Sequence, residues 1–177
     1  SGEDQGGATS SSDKESGGET SSSSDTDTAL VMADPASVGP YTVKTISESL
    51  SSTHYASAVL YYPEMAAANP VPATTLCAGY LGDKEDIAWL ARRIASHGII
   101  VINFDPADSS STLPKTWANG HKGCLASLRA ENERLESPLY HRIDTERLCL
   151  AGYSMGGGGA LLAAADSGAE VSNVVAL

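Results

Sequence analysis

Arg147-Leu-Cys-Leu-Ala-Gly-Tyr-Ser-Met-Gly-Gly-Gly-Gly-Ala-Leu-Leu-Ala-Ala-Ala165 reads as an apolar strand, an abrupt turn at Ser154 and a helix of small residues. Within it, Gly152-Tyr153-Ser154-Met155-Gly156 fits G-x-S-x-G, the turn that pushes a serine out at the top of a parallel sheet. The bare pattern says little: with 17 glycines and 24 serines in 177 residues, chance alone gives about 0.2 matches. Its place at a strand-to-helix junction is what gives it weight. Such a turn brings helix backbone close to strand backbone, so the positions two before and two after the serine must be small. Gly157, Gly158 and Gly159 each cost a helix about 1 kcal/mol relative to alanine, so a run of them points to close backbone approach. A dinucleotide fingerprint would need glycine where Ser154 stands, and a phosphate-binding loop would need Lys before Ser or Thr after the last glycine; neither is present.

Working outward, the chain upstream of the turn alternates strands and helices. Tyr41–Ser49 reads as a short edge strand, Ala56–Tyr62 as a second strand closed by Pro63, and Ala73–Ala78 as a third ending at Gly79-Tyr80. A helix follows, with Asp83, Glu85 and Asp86 placed in its first turn, an Ile87/Leu90/Ala91/Ile94 stripe and Gly98 at its C-terminal cap. Ile99–Phe104 is apolar on both faces, as in a sheet covered by helices on both sides. A second helix is expected from about Trp117 to Leu135 with Leu125, Leu128 and Leu135 on one face, and Val171–Leu177 begins a further strand. The fold class is therefore α/β, a mostly parallel sheet flanked by helices.

Composition divides the chain. Residues 1–35 hold eight acids and one lysine, net −7; the remainder holds fourteen acids and ten bases, net −4, giving −11 overall. Residues 1–37 are read as a disordered acidic Ser/Gly-rich linker and 38–177 as the folded part, because the first segment has too little apolar surface to offset its ordering entropy. That segment is either a solvated tail or a spacer between a processed export or lipid-anchor signal and a domain held outside the cell. The acidic balance argues against nucleic acid and anionic lipid as partners, and no apolar run reaches the roughly 18 residues of a membrane span. Cys77, Cys124 and Cys149 are read as buried small hydrophobes, and no cofactor or metal is expected.

At the turn, Ser154 Oγ is the candidate nucleophile for acyl transfer, and the oxyanion that forms needs preorganised donors. The Met155 backbone N–H is the first candidate, and the Tyr80 backbone N–H, in the loop after the third strand, is the second. Tyr80, Tyr153 and Met155 would border the site with aromatic and thioether surface suited to an apolar or aromatic acyl group; plain surface packing is the other reading of the tyrosine rings.

Several stretches, in order and spacing, resemble bacterial cutinases and poly(ethylene terephthalate) hydrolases, within the dienelactone-hydrolase-like α/β-hydrolases. They are Ala78-Gly79-Tyr80, Ile87-Ala-Trp89, Ala95–Ile102, Ser137–Tyr140, Asp144–Arg147 and above all Gly152–Gly159. The resemblance covers roughly Gly39 to Leu177 and implies a secreted serine ester hydrolase acting on polyester or acylglycerol bonds, a monomer at full length. It implies Ser154 as nucleophile and Tyr80 and Met155 as the oxyanion pair; Tyr153 stands where the family usually has Trp or His. A lipase, acylhydrolase or peptidase on the same scaffold, or a non-catalytic module, are the alternatives.

The family supplies its acid and histidine after the serine. Only 23 residues follow Ser154, and none is histidine, while Asp166 and Glu170 come too early. His54, His97, His121 and His141 all precede it; His97 is placed at a helix C-terminus and the other three in or near loops and helix ends, solvated. The chain is thus expected to be the N-terminal part of a hydrolase, with its acid and histidine beyond Leu177 and, alone, inactive and poorly stable.

Overall fold

The structure, a computed structural model, describes residues 34–64, 69–167 and 170–177. Nearly all of the acidic segment expected to be disordered lies outside them, as does part of the loop before the third strand. Among the described residues the elements run β1 (Val43–Ile46), β2 (Tyr55–Pro63), β3 (Val71–Cys77), α1 (Ala88–Ser96), β4 (Ile100–Pro106), α2 (Pro114–Glu133), β5 (Ile143–Gly152), α3 (Met155–Ser167) and β6 (Asn173–Ala176).

The strands form one sheet in the order β1-β2-β4-β3-β5-β6. β1, β2 and β4 pair antiparallel, whereas β4, β3, β5 and β6 pair parallel. Pattern alternation along β4 shows why both faces are covered. Ile100, Ile102 and Phe104 point into a core with Trp117, Cys124, Leu125 and Leu128 of α2 and Ala160 and Ala163 of α3. Val101 points the other way, into a second core with Ala91 and Ala95 of α1. The apolar-on-both-faces reading of this strand and the expected α/β class are borne out.

At two helix ends that differ from expectation, the start of α1 and the end of α2, a polar anchor is responsible. The acids expected in the first turn of α1 lie ahead of it, because Lys84 is pinned to the sheet. Its backbone N–H and its ammonium donate to the two oxygens of Asp105 at 2.6 and 2.8 Å, and its carbonyl accepts from Asn103 Nδ2 at 2.7 Å. Asp83 then closes a turn, accepting the N–H groups of Glu85 and Asp86 at 2.9 and 3.2 Å, and the helix starts only at Ala88. Partial burial works to raise the Asp105 pKa, but the bonds from Lys84 and Ser57 outweigh it and hold the carboxyl below its ordinary value. The C-terminal end is as expected: Gly98 adopts φ +95° and donates to the Ala95 carbonyl.

α2 begins at Pro114, at its first turn, where proline is well placed. It ends at Glu133, so Leu135 falls past the helix and is exposed, against expectation. The break is set by the buried Glu131 carboxylate, which takes Ser49 and Ser137 hydroxyls at 2.7 and 2.6 Å and pulls Arg134 back onto itself at 2.6 Å. His121 is also a correction. It lies mid-helix and fully buried, not at a solvated end, because with Trp117, Leu125 and Leu128 it occupies the inward stripe of α2. Cys77 and Cys124 are buried free thiols, and Cys149 is only half-buried.

The glycines of α3 fall into two kinds. A Cβ on Gly159 would lie 2.3 Å from Trp117 Cβ, whereas one on Gly158 would meet nothing within 4 Å. Gly159→Ala is therefore expected to lower stability by about 1–3 kcal/mol through overpacking against α2, and Gly158→Ala to raise it by up to about 1 kcal/mol through helix propensity. Urea unfolding midpoints of the two variants should move in opposite directions.

Candidate active site at the sheet's switch point

The chain leaves β3 towards β4 on one side and, after α2 has crossed back, leaves β5 towards β6 on the other. β3 and β5 are therefore the neighbours between which strand order reverses, the place where parallel sheets open a crevice at their carboxyl ends. Register makes the juxtaposition specific. Cys77 of β3 pairs with Gly152 of β5, so Gly79-Tyr80 and Tyr153-Ser154 leave the sheet side by side. The Tyr153 N–H donates to the Cys77 carbonyl at 3.0 Å.

Ser154 sits at the turn with φ +53°, an uncommon left-handed conformation for a residue with a side chain, and it is exposed. Close approach on both sides enforces that turn. A Cβ on Gly152 would be 2.3 Å from the Gly156 carbonyl carbon, and one on Gly156 would be 2.5 Å from the carbonyl oxygens of both Cys77 and Ala78. The smallness expected at these two positions is met. Gly79 is equally constrained, since its Cβ position lies 3.0 Å from Ser154 Cβ and 3.4 Å from Oγ.

The two backbone N–H groups considered at this site belong to peptides whose orientation is fixed. The Gly79 carbonyl accepts from Gly82 N–H at 3.1 Å, and Leu81 N–H is held by the Ser109 carbonyl at 2.9 Å. The Ser154 carbonyl accepts from Gly158 N–H at 3.0 Å. Because these peptides are trans and planar, the N–H groups of Tyr80 and Met155 point opposite to those tied carbonyls. Neither N–H has a hydrogen-bond acceptor among the described residues.

A cleft of about 490 Å³ opens beside Ser154 between Gly79, Tyr80, Asp86, Trp89 and Tyr153. Tyr80, Tyr153 and Trp89 are 48%, 58% and 66% exposed, so their rings stand as walls and not as core. The Met155 side chain instead is half-buried and packs on the larger core, leaving its backbone as its link to the cleft. Trp89 and Asp86 received no site role in the sequence reading. A signal for Trp89 existed: it is the large apolar residue of α1 that falls off the inward stripe.

The histidines do not join Ser154 in this cleft. His97 caps α1, its Nε2 donating to the Ser37 carbonyl at 3.0 Å, while His54 and His141 are exposed elsewhere. His121 lies beneath the site. Its Nε2–H donates to the Gly156 carbonyl at 3.0 Å and its Nδ1 accepts the Thr75 hydroxyl at 2.7 Å, which fixes the neutral tautomer. Burial pushes its pKa down to about 4, only partly opposed by the bond to Gly156. Among the described residues no group of three or more His, Cys, Asp or Glu could hold a metal.

The unfolded chain binds a proton at His121 near pH 6.5, and the folded chain only near pH 4. Between those values the unfolded state holds more protons, so this contribution is complete above pH 6.5 and is lost as pH falls towards 4, by about 3 kcal/mol. His121→Gln, which keeps a donor and an acceptor without titrating, should lose that much less stability between pH 7 and pH 4. Denaturant melts of both proteins across that range measure the difference.

A family model described as PET hydrolase-like matches residues 22–177. Cutinase 1 of Thermobifida cellulosilytica is 38% identical over 127 residues, which is 71% of this chain and 46% of that protein. A cutinase of Thermobifida fusca (strain YX) is 38% identical over 127 residues, covering 71% and 40%. A bis(hydroxyethyl) terephthalate hydrolase of Streptomyces coelicolor is 36% identical over 127 residues, covering 71% and 39%. The chain thus spans less than half the length of these curated relatives. The family model spans most of the chain, so the chain belongs to the PET hydrolase-like family, an α/β-hydrolase family with which its mostly parallel sheet agrees.

Proposed function

We infer that the protein is a serine ester hydrolase of the cutinase and polyesterase type, with Ser154 as nucleophile. The observation that carries this reading is one arrangement: an exposed serine at φ +53° flanked by two oriented backbone N–H groups with no acceptor among the described residues. Ser154 Oγ attacks the ester carbonyl carbon and gives its proton to a base. The carbonyl oxygen, now negative, is received by the N–H groups of Tyr80 and Met155. Collapse expels the alcohol, which takes up the proton, and leaves an acyl-serine. Water, deprotonated by the same base, then releases the carboxylic acid and restores Ser154.

Both nitrogens of His121 are engaged and buried, so the base is taken from outside the described residues, together with the carboxylate that orients it. The exposed rings of Tyr80, Trp89 and Tyr153 favour an aromatic or extended apolar acyl group over a compact polar one. Among the described residues no helix is long and apolar enough to cross a membrane. We assign residues 1–37 as an acidic spacer and 38–177 as the hydrolase part of an exported protein, monomeric at full length, that meets its polymer outside the cell.

In the full-length protein, Ser154→Ala should lower turnover of p-nitrophenyl butyrate and release of product from a polyester film by about 10³-fold or more, with the fold intact by circular dichroism. Unchanged turnover would overturn the reading. Trp89→Ala should raise KM for a soluble aromatic diester by about 3–10-fold while changing that for p-nitrophenyl acetate little. Steady-state kinetics on the two substrates distinguish a cleft wall from a surface ring.

A further inference from the structure

We propose, building on the acyl-transfer reading of Ser154, that His121 and Trp117 are positioning residues. From one helix they hold, through the Gly156 and Ala78 carbonyls, the two backbone segments that carry the oxyanion donors.

An oxyanion hole works only when both donors lie within hydrogen-bond distance of one oxygen. Here the donors belong to different segments, Tyr80 to the loop after β3 and Met155 to the start of α3. Each segment orients its own peptide, through the Gly79–Gly82 and Ser154–Gly158 bonds. Those local bonds do not set the spacing between segments, which the Tyr153–Cys77 bond fixes only at the strand ends. α2 spans it. The Trp117 indole Nε1–H donates to the Ala78 carbonyl at 3.2 Å, and one turn later the His121 Nε2–H donates to the Gly156 carbonyl at 3.0 Å. The Thr75 hydroxyl on β3 donates back to His121 Nδ1 at 2.7 Å, so the imidazole ties sheet, α2 and α3 together. Both rings are fully buried.

The His121 bond is not required to satisfy Gly156. Inside an α-helix the Gly156 carbonyl already faces the N–H of Ala160. An apolar residue would fill the same place on the inward stripe without the desolvation that imidazole suffers. The surplus bond is directional, and it falls one residue after the Met155 donor. On the far side Gly156 abuts the Cys77 and Ala78 carbonyls, so a shift at either bond changes the distance between the donor segments.

The test uses the full-length protein and four variants: His121→Leu, His121→Gln, Trp117→Phe and Ser154→Ala. The readouts are kcat and KM on p-nitrophenyl butyrate, inhibition by an arylboronic acid whose tetrahedral adduct places an oxygen in the hole, and active-site titre by fluorophosphonate. Expected for His121→Leu and Trp117→Phe is a fall in kcat of about tenfold with KM within about twofold, and a similar weakening of the boronic acid. His121→Gln, which can donate and accept, should recover most of the loss. If Ser154→Ala is inactive but kcat per titrated site in both clamp variants stays within about twofold of the parent, positioning is overturned and the acyl-transfer reading stands. If Ser154→Ala keeps its turnover, the underlying reading fails, and the proposal with it. Should His121→Leu fail to fold, Trp117→Phe against His121→Gln decides by the same split.

Discussion

The contact of backbone on backbone between Cys77–Gly79 and Gly152–Gly156 is the constraint on which the rest of this architecture depends. Two parallel neighbours in register bring their carboxyl ends to the same level, and the chain must turn away from both at once. There is no room for a Cβ at Gly152 or Gly156, so the turn tightens until Ser154 is driven to positive φ. Such a conformation costs about 1–3 kcal/mol for a residue with a side chain and persists only where its surroundings over-determine it. Here they do: the Ser154 N–H donates to the Leu177 carbonyl at 2.8 Å, and its carbonyl accepts from Gly158 at 3.0 Å.

Around that contact the polar groups of the interior are arranged as anchors for backbone. Asp105 and Asn103 hold Lys84 on one side of the loop that follows β3, and Trp117 holds Ala78 at its root. The loop is therefore fastened at both ends while Tyr80 between them stays exposed. Glu131 plays a similar part at the far end of α2, gathering Ser49, Arg134 and Ser137. Ion pairs of this kind contribute modestly to stability when partly solvated; their larger effect here is to decide where helices begin and end.

How much of this could be read from residues alone follows from the range of the interactions involved. The elbow, the two-sided β4 and the Gly98 cap rest on local periodicity and on glycine geometry, which a sequence displays directly. The start of α1 and the end of α2 escaped because each is set by a bond to a residue far along the chain, Lys84 to Asp105 and Glu131 to Ser49. His121 was misplaced for a different reason. Its position at four-residue spacing from Trp117 and Leu125 marked it as inward-facing, but residue type argued for solvent, and only the partners on β3 and α3 reconcile a polar ring with that stripe. Trp89 shows the converse, an apolar ring off the stripe whose cleft exists only after α1 and the elbow meet.

Environment, not proximity along the chain, sorts histidine from base here. His121 is bonded to the carbonyl two residues past Ser154, yet both its nitrogens are occupied and burial favours its neutral form. A residue that must accept and return a proton needs a free nitrogen facing Oγ and a pKa near the working pH. On one side Gly79 lies against Ser154 Cβ and Oγ, and the His121 nitrogens beneath the site are already bonded. Among the described residues the space beside Ser154 is the cleft lined by Gly79, Tyr80, Trp89 and Tyr153. The same crowding that exposes Ser154 therefore leaves the cleft as the approach for a proton acceptor in the acyl-transfer reading proposed for this site.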